Sequence, residues 1–148
     1  MPLYFAYGSN MDTDMMAKRC PRSKALGLAR LARHRLAVMR EGWLTAIRTP
    51  YGAVHGVLWD LALSDIPALD RYEGPLYTKV AQPVVTAGGA KRALVYFGTN
   101  AGPGTLRADY AERVLAGARG WPLPREAIEA LEALAGADPG GAPRRGRA

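Results

Sequence analysis

Residues 3–10 read LYFAYGSN, and this stretch decides most of the predicted fold and site. Its first five residues are apolar or aromatic and are followed by Gly-Ser-Asn, a pattern that predicts a buried strand entering a turn. Gly8 can adopt backbone conformations that other residues resist, so the turn can expose consecutive N–H groups to a carboxylate or a phosphate. Ser9 and Asn10 add side-chain donors. Taken alone, the segment is explained slightly better as an ordinary strand-to-helix turn capped by Asn10 or Asp12.

The pattern after this turn places strands first and helices last. Asp12 or Thr13 can cap a short helix that ends near Arg19. Residues 25–40 are open between helix and strand, and their second half favours a strand. Further strands are predicted over residues 44–48 and 53–61, joined across residues 50–52, and over residues 77–86 and 91–97; further helices are predicted over residues 64–72, capped by Ser64, and over residues 106–119 and 125–134. This order predicts a mixed α+β domain, with a small mixed β-sheet or partly closed barrel and flanking helices.

Length and composition fit one folded domain. The chain has 148 residues, of which 49% are hydrophobic and 22% charged, both ordinary for a globular protein. Cys20 is the only cysteine, so neither an intramolecular disulfide nor a cysteine metal site is predicted. No apolar run approaches the roughly 20 residues of a membrane span, and residues 1–7 do not resemble a signal peptide. We therefore expect a cytoplasmic protein without a membrane partner, and a disordered Gly/Pro/Arg-rich tail at its end.

The net charge of +7 is concentrated in one basic segment. Between residues 15 and 40 there is no acid, and there are eight basic residues: Lys18, Arg19, Arg22, Lys24, Arg30, Arg33, Arg35 and Arg40. Such a segment can bind phosphate backbones or steer an anionic small molecule. A solvated arginine-rich surface is favoured over both, because no nucleic-acid-binding signature accompanies the charge. His34 and His55 form no metal-ligand cluster, and no phosphate-binding glycine motif supports a nucleotide cofactor.

Glu73 is the candidate acid–base group. It ends the predicted helix just before the break at Gly74-Pro75, with Tyr72 and Tyr77 close in sequence. Partial enclosure there would raise the pKa of the carboxyl above its ordinary value, which suits a general acid or base working near neutrality. Taken alone, Glu73 is explained better as a surface glutamate at a helix end.

Taken together, the motifs along the chain resemble the γ-glutamylcyclotransferase family. Residues 4–11, YFAYGSNM, resemble its N-terminal signature, and residues 54–59, VHGVLW, resemble its central strand. Residues 69–74, LDRYEG, followed by Tyr77, resemble its Leu-Asp-x-x-Glu-Gly…Tyr segment. Tyr110, residues 117–119 and residues 123–124 resemble its C-terminal helix and Gly-Leu-Pro turn. The motifs occur in the family's order over about residues 3–138, which makes the resemblance specific.

The resemblance implies one domain over residues 1–136, with residues 137–148 as the tail, and an intramolecular aminolysis. In this reaction the α-amine of a γ-glutamyl group attacks its own γ-carbonyl, releasing 5-oxoproline and an amino acid or amine. The family's catalytic glutamate corresponds to Glu73, which would move the protons. The substrate-binding residues implied are Tyr4, Phe5, Ala6, Tyr7, Gly8, Ser9, Asn10, Tyr77 and Tyr110. Ser9 would then be a hydrogen-bond donor, with no cofactor and no metal required.

The resemblance leaves the leaving group open, because the family acts on several kinds of γ-glutamyl compound. We expect a small-molecule γ-glutamyl substrate, with γ-glutamyl amino acids or amines preferred. Nucleic acid is not the favoured partner, and a homodimer stays open. The alternative hypothesis is a non-catalytic relative that binds an anionic metabolite or nucleic acid through its basic surface.

Overall fold

A computed structural model describes residues 2–136, and within them it contains five strands and four α-helices. In chain order these are β1 (Leu3–Ala6), α1 (Thr13–Arg19), β2 (Lys24–Val38), β3 (Leu44–Asp60), α2 (Ile66–Glu73), β4 (Tyr77–Thr86), β5 (Gly89–Gly98), α3 (Ala108–Arg119) and α4 (Arg125–Ala135). Short 3-10 turns cover Ser9–Met11, Leu63–Asp65 and Gly74–Leu76. The mixed α+β prediction is confirmed. The disorder predicted for residues 137–148 lies outside the described residues.

The strands form a closed barrel in the order β1-β3-β2-β4-β5. β1 pairs antiparallel with β3 and parallel with β5, where Tyr4 lies opposite Leu94, and this second pairing closes the sheet. Packing is tight where β1 meets β3, because a Cβ on Gly56 would lie 2.2 Å from the carbonyl oxygen of Ala6. The barrel therefore needs glycine at this position for steric reasons.

β2 is a strand over its whole length, so the helical alternative for its first half is wrong. Its ladder with β3 is shifted in register between Ala25 and Gly27 and again between Ala32 and His34. Arg33 stands at the second shift with a φ of 60°, an uncommon value for a residue other than glycine. Each bulge changes which side chains point inward. The alternation of apolar and polar residues is therefore interrupted, and the Ala, Leu and Arg content alone suggested a helix.

β3 is one long strand where two were predicted. In the ladder with β2, Ala53 pairs with Ala32 and Arg48 pairs with His34. Residues 49–52 lie between these two pairs, opposite the bulge at Arg33, and extend beyond the ladder. Tyr51, at the centre of this extension, is 85% exposed. Pro50 and Gly52 do mark a stretch that leaves the ladder, but the strand continues through it.

Two predicted helix caps have different outcomes. The Asp12 carboxylate accepts hydrogen bonds from the N–H groups of Asp14 and Met15 at 2.8 and 3.0 Å, so the cap of α1 is confirmed. Ser64 does not cap α2, because it lies within a 3-10 turn that precedes the helix and no side chain caps the helix itself. The N-cap residue of α2 is the buried Asp65, and its carboxylate accepts from the backbone N–H of Arg22 at 2.9 Å rather than from the helix.

The helices hold the first turn against the barrel. α3 packs on residues 9–12 so closely that a Cβ on Gly117 would lie 2.9 Å from the backbone nitrogen of Asp12. Just beyond α3, the indole N–H of Trp121 donates to the carbonyl oxygen of Met11 at 2.8 Å. The turn after β1 is thus fixed from outside by elements more than a hundred residues away. None of the helices in residues 2–136 combines the length and apolar composition needed to cross a membrane.

Candidate active site

One cavity of about 360 Å³ brings the first turn and Glu73 together. Its lining comprises Tyr4, Phe5, Tyr7, Gly8, Ser9, Asn10, Trp43, Leu44, Tyr72, Glu73, Gly74, Pro75, Leu76, Tyr77, Tyr96 and Tyr110. Nine of the ten residues predicted for the site therefore lie around it. Ala6 does not line the cavity, because it is buried in the barrel wall, opposite Val57.

Gly8 has little room for a side chain, although its backbone is not left-handed. Its φ is −119°, outside the region that favours glycine. A Cβ at this position would lie 3.0 Å from the hydroxyl oxygen of Tyr110, so a side chain would push against that hydroxyl. The small residue keeps the strand end and Tyr110 in contact at the cavity wall.

The residues after Gly8 form a 3-10 turn whose donors lie at the cavity. The first N–H groups of such a turn have no acceptor within it. The buried Ser9 places its Oγ 2.5 Å from the hydroxyl oxygen of Tyr72, so one of these two hydroxyls donates to the other. The hydroxyl that accepts keeps its own proton for another partner.

Asn10 is held at three points. Its Nδ2 donates to the Tyr4 hydroxyl at 3.0 Å, its Oδ1 accepts from the guanidinium of Arg19, and its carbonyl oxygen accepts from the indole of Trp59 at 3.1 Å. The side chain is 2% exposed, so these partners satisfy polar atoms that water does not reach. Asn10 therefore links the turn to β1, α1 and β3.

Glu73 is the last residue of α2 and is partly buried. Burial raises the pKa of its carboxyl from the ordinary value of 4.5 to about 7. The positive charge of Arg19 and a hydrogen bond from the Tyr4 hydroxyl act in the opposite direction, while the nearby Asp70 carboxylate adds a small increase. A carboxyl with this pKa is present in both protonation states near neutrality, as an acid–base group requires.

The tyrosine hydroxyls at the cavity are partly used by the protein itself. The Tyr77 hydroxyl donates to the carbonyl oxygen of Leu44 at 2.5 Å, and that of Tyr7 donates to the carbonyl oxygen of Tyr96 at 2.5 Å. The Tyr110 hydroxyl differs, because it accepts from the Leu44 N–H at 3.4 Å and keeps its own proton. Burial raises the pKa of Tyr7, Tyr77 and Tyr110, so all three stay protonated.

Several lining residues were not predicted: Trp43, Leu44, Tyr72, Gly74, Pro75, Leu76 and Tyr96. Tyr72 and the residues after Glu73 could have been included because they neighbour the predicted carboxylate. Trp43, Leu44 and Tyr96 reach the cavity only through the barrel pairing, which gives no local signal. In the part of the chain that the structure describes, no three His, Cys, Asp or Glu side chains are grouped so as to hold a metal ion.

The closed barrel, the donor-bearing turn and a carboxyl titrating near neutrality define a class: a small barrel enzyme that binds a small molecule and transfers protons. Comparison with known proteins gives the family. The sequence model described as "Gamma-glutamyl cyclotransferase, AIG2-like" matches residues 4–121, most of the chain. The chain belongs to this family, and the resemblance found in the sequence is confirmed.

Curated and solved relatives agree with this assignment. The chain is 32% identical to mouse gamma-glutamylcyclotransferase over 146 residues, which covers 89% of this chain and 78% of the mouse protein. It is 30% identical to the human protein of the same name, with the same coverage. A solved structure of a gamma-glutamyl cyclotransferase superposes with a TM-score of 0.80 at 29% identity and covers 90% of this chain and 87% of that chain.

Proposed function

We propose that the protein cyclises γ-glutamyl amino acids or amines to 5-oxoproline. The α-amine nitrogen of the γ-glutamyl group forms a bond to the γ-carbonyl carbon, and the bond from that carbon to the leaving nitrogen breaks. One proton leaves the attacking nitrogen and one is delivered to the departing amine, so no further reactant is consumed. The observation that carries the proposal is the placement of Glu73 and the donor turn in one cavity.

Glu73 supplies the proton transfers. In its ionised form the carboxylate accepts the proton from the attacking nitrogen, and in its protonated form it donates to the leaving nitrogen. A pKa of about 7 balances the two states, because neither form is scarce at neutral pH. The same partial burial that raises the pKa also limits the contact of the carboxyl with bulk water.

The turn holds the substrate so that ring closure can occur. Ring closure is already unimolecular, so the main task of the protein is to keep the amine near the γ-carbonyl. We assign the α-carboxylate of the substrate to the N–H groups at residues 8–10 and to the Ser9–Tyr72 hydroxyl pair. Among the predicted tyrosines, Tyr110 has a free hydroxyl proton for the substrate, whereas Tyr77 offers mainly its ring.

The leaving group faces an apolar wall, formed by Trp43, Leu44, Pro75 and Leu76. The backbone N–H and carbonyl of Leu44 are both occupied by tyrosine hydroxyls, which removes two polar groups from this wall. Among the cavity's lining residues Glu73 is the single carboxylic acid, and there is no Lys or Arg. An uncharged leaving side chain is therefore favoured over an acidic one.

The alternative of a non-catalytic relative is not favoured, because the family match and the acid–base site both indicate an enzyme. The test is to incubate the protein with a panel of γ-glutamyl amino acids and amines and to measure 5-oxoproline. Glu73→Gln should lower kcat by about 10²–10⁴-fold, the contribution typical of general acid–base catalysis. Glu112→Gln, which neutralises an exposed glutamate on α3, should leave kcat unchanged. Wild-type protein that forms no 5-oxoproline from any substrate would contradict the function, and full activity in Glu73→Gln would contradict the mechanism.

A further inference from the structure

Arg19 differs from the other basic residues of its segment. Seven of the eight Lys and Arg residues between positions 15 and 40 are exposed, as a solvated surface requires, whereas Arg19 is partly buried at the end of α1. Its guanidinium carbon lies 3.3 Å from the centre of the Tyr72 ring, and its Nη1 donates to Oδ1 of Asn10. It therefore contacts two residues of the cavity lining without lining the cavity itself.

We propose that Arg19 is a positioning residue that holds Asn10 and Tyr72 in the arrangement the substrate needs. The inference rests on the proposed function and adds a role that neither the sequence motifs nor the cavity lining assign. It is carried by the geometry of two contacts. A guanidinium has only donors, so the Asn10 amide must present its oxygen to Arg19 and its nitrogen to the Tyr4 hydroxyl.

The orientation of Asn10 sets the role of the Tyr4 hydroxyl, which lines the same cavity as Glu73 and lowers the pKa of its carboxyl. The Tyr4 oxygen accepts from Asn10, so its own proton is free to be donated to the Glu73 carboxylate. Arg19 thus donates to Asn10 and Asn10 donates to Tyr4, so the two bonds run in one direction from the guanidinium to the Tyr4 hydroxyl. A hydrogen-bond chain of one direction polarises each link in turn, and Asn10 and Tyr4 are both buried, where such bonds are strongest.

The second contact fixes Tyr72. The guanidinium covers one face of its ring, a cation–π arrangement that restricts an otherwise exposed side chain. With the ring held, the Tyr72 hydroxyl stays 2.5 Å from Ser9 at the turn that we assign to the α-carboxylate of the substrate. Loss of Arg19 should therefore weaken substrate binding as well as proton transfer.

The charge of Arg19 supports the same role. Within the described residues, the groups that act on the pKa of Glu73 are Arg19, the Tyr4 hydroxyl and the Asp70 carboxylate. The hydroxyls of Tyr7, Tyr77, Tyr96 and Tyr110 line the same cavity as Glu73, and their raised pKa values keep them neutral. Arg19 is the cation of this set, so its removal should raise the pKa of Glu73 further.

The test compares Arg19→Gln, Arg19→Lys and the matched control Lys18→Gln, an exposed neighbour on the same helix that loses the same charge. Arg19→Gln should raise KM and move the rising limb of the kcat/KM–pH profile upward by about one pH unit, the order expected for loss of a nearby opposite charge. Arg19→Lys keeps the positive charge but lacks the planar guanidinium with its several N–H donors. It should therefore leave the rising limb of the profile at its wild-type pH and raise KM. Lys18→Gln should resemble the wild type. If Arg19→Gln has the KM of the wild type and its kcat/KM rises with pH at the wild-type position, the proposal is overturned.

A direct titration separates this inference from the proposed function. The side-chain carboxyl of Glu73 can be followed by carbon NMR in the absence of substrate, with Glu73→Gln identifying its signal. An upward shift of its titration in Arg19→Gln but not in Lys18→Gln supports the role of Arg19 even if no tested substrate is cyclised. An unchanged titration in Arg19→Gln contradicts it, whatever the activity. If Arg19→Gln does not fold, the KM of Arg19→Lys decides, and a wild-type value overturns the proposal.

Discussion

Glu73 shows how one residue can serve chemistry at the expense of stability. Burial favours the protonated carboxyl, so the folded protein ionises Glu73 at a pKa of about 7 whereas an unfolded chain ionises it near 4.5. A group with a raised folded pKa stabilises the fold below the unfolded pKa, and this contribution is lost as the pH rises through the folded pKa. The ionised acid–base group therefore destabilises the fold from about neutral pH upward.

Glu73→Gln should stabilise the protein at pH 8 and leave it nearly unchanged at pH 4. The gain in the free energy of unfolding at pH 8, relative to the difference at pH 4, should be on the order of 3 kcal/mol, because the variant has no charge to bury. Urea unfolding at both pH values measures it, with Glu112→Gln as the exposed control. An equal effect of Glu73→Gln at the two pH values would show that the carboxyl is not enclosed.

At the scale of elements, short helices outside the barrel position residues that contact the cavity lining. α1 has only seven residues, so its own hydrogen bonds stabilise it little and its cap matters. Its N-terminal cap is Asp12, which also contacts α3 at Gly117, and its last residue is Arg19. Fixing the start of this helix thus helps to place Arg19 beside the cavity.

Asp12→Ala should cost about 1 kcal/mol of stability, the usual value of an N-cap hydrogen bond. Alanine keeps the Cβ that lies near Gly117, so packing is preserved and the loss reports the cap. Asp12→Asn keeps a side-chain acceptor and should recover most of the loss. Urea unfolding of the three proteins measures this, and equal stability of Asp12→Ala and wild type would mean that α1 is held by packing alone.

At the scale of the whole molecule, the cavity exists because a closed barrel brings distant segments together. The turn after β1, the start of β3 and the end of α2 contribute its walls, and β5 and α3 add Tyr96 and Tyr110. The apolar wall combines Trp43 and Leu44 with Pro75 and Leu76. The preference for a leaving group is therefore a property of the assembled barrel.

γ-Glutamyl-leucine should have a higher kcat/KM than γ-glutamyl-glutamate, by more than about tenfold, because an acidic side chain would be desolvated against the apolar wall without a partner. γ-Glutamyl-glutamine is the matched control, since it is nearly the same size and shape as γ-glutamyl-glutamate but uncharged. It should fall between the two. Equal kcat/KM values for the glutamine and glutamate compounds would mean that charge is not selected by this wall.

Features that depend on local patterns could be predicted from the amino-acid sequence alone. The strand and turn at residues 3–10, the hairpin of β4 and β5, the helices and the α+β class follow from hydrophobic period and from turn residues. The pairing of the turn with Glu73 followed from an ordered set of motifs, although each motif alone was explained better as ordinary structure.

Features that depend on pairing and burial between distant segments required the three-dimensional structure. It showed that β2 and β3 are continuous through bulges and that Ala6 is buried in the barrel wall. It also showed that the Tyr77 hydroxyl donates to the carbonyl oxygen of Leu44. It also singled out Arg19 from seven similar residues, because composition is the same for a solvated cation and for one stacked on Tyr72. These features depend on contacts between residues far apart in sequence, which the spacing of nearby residues does not predict.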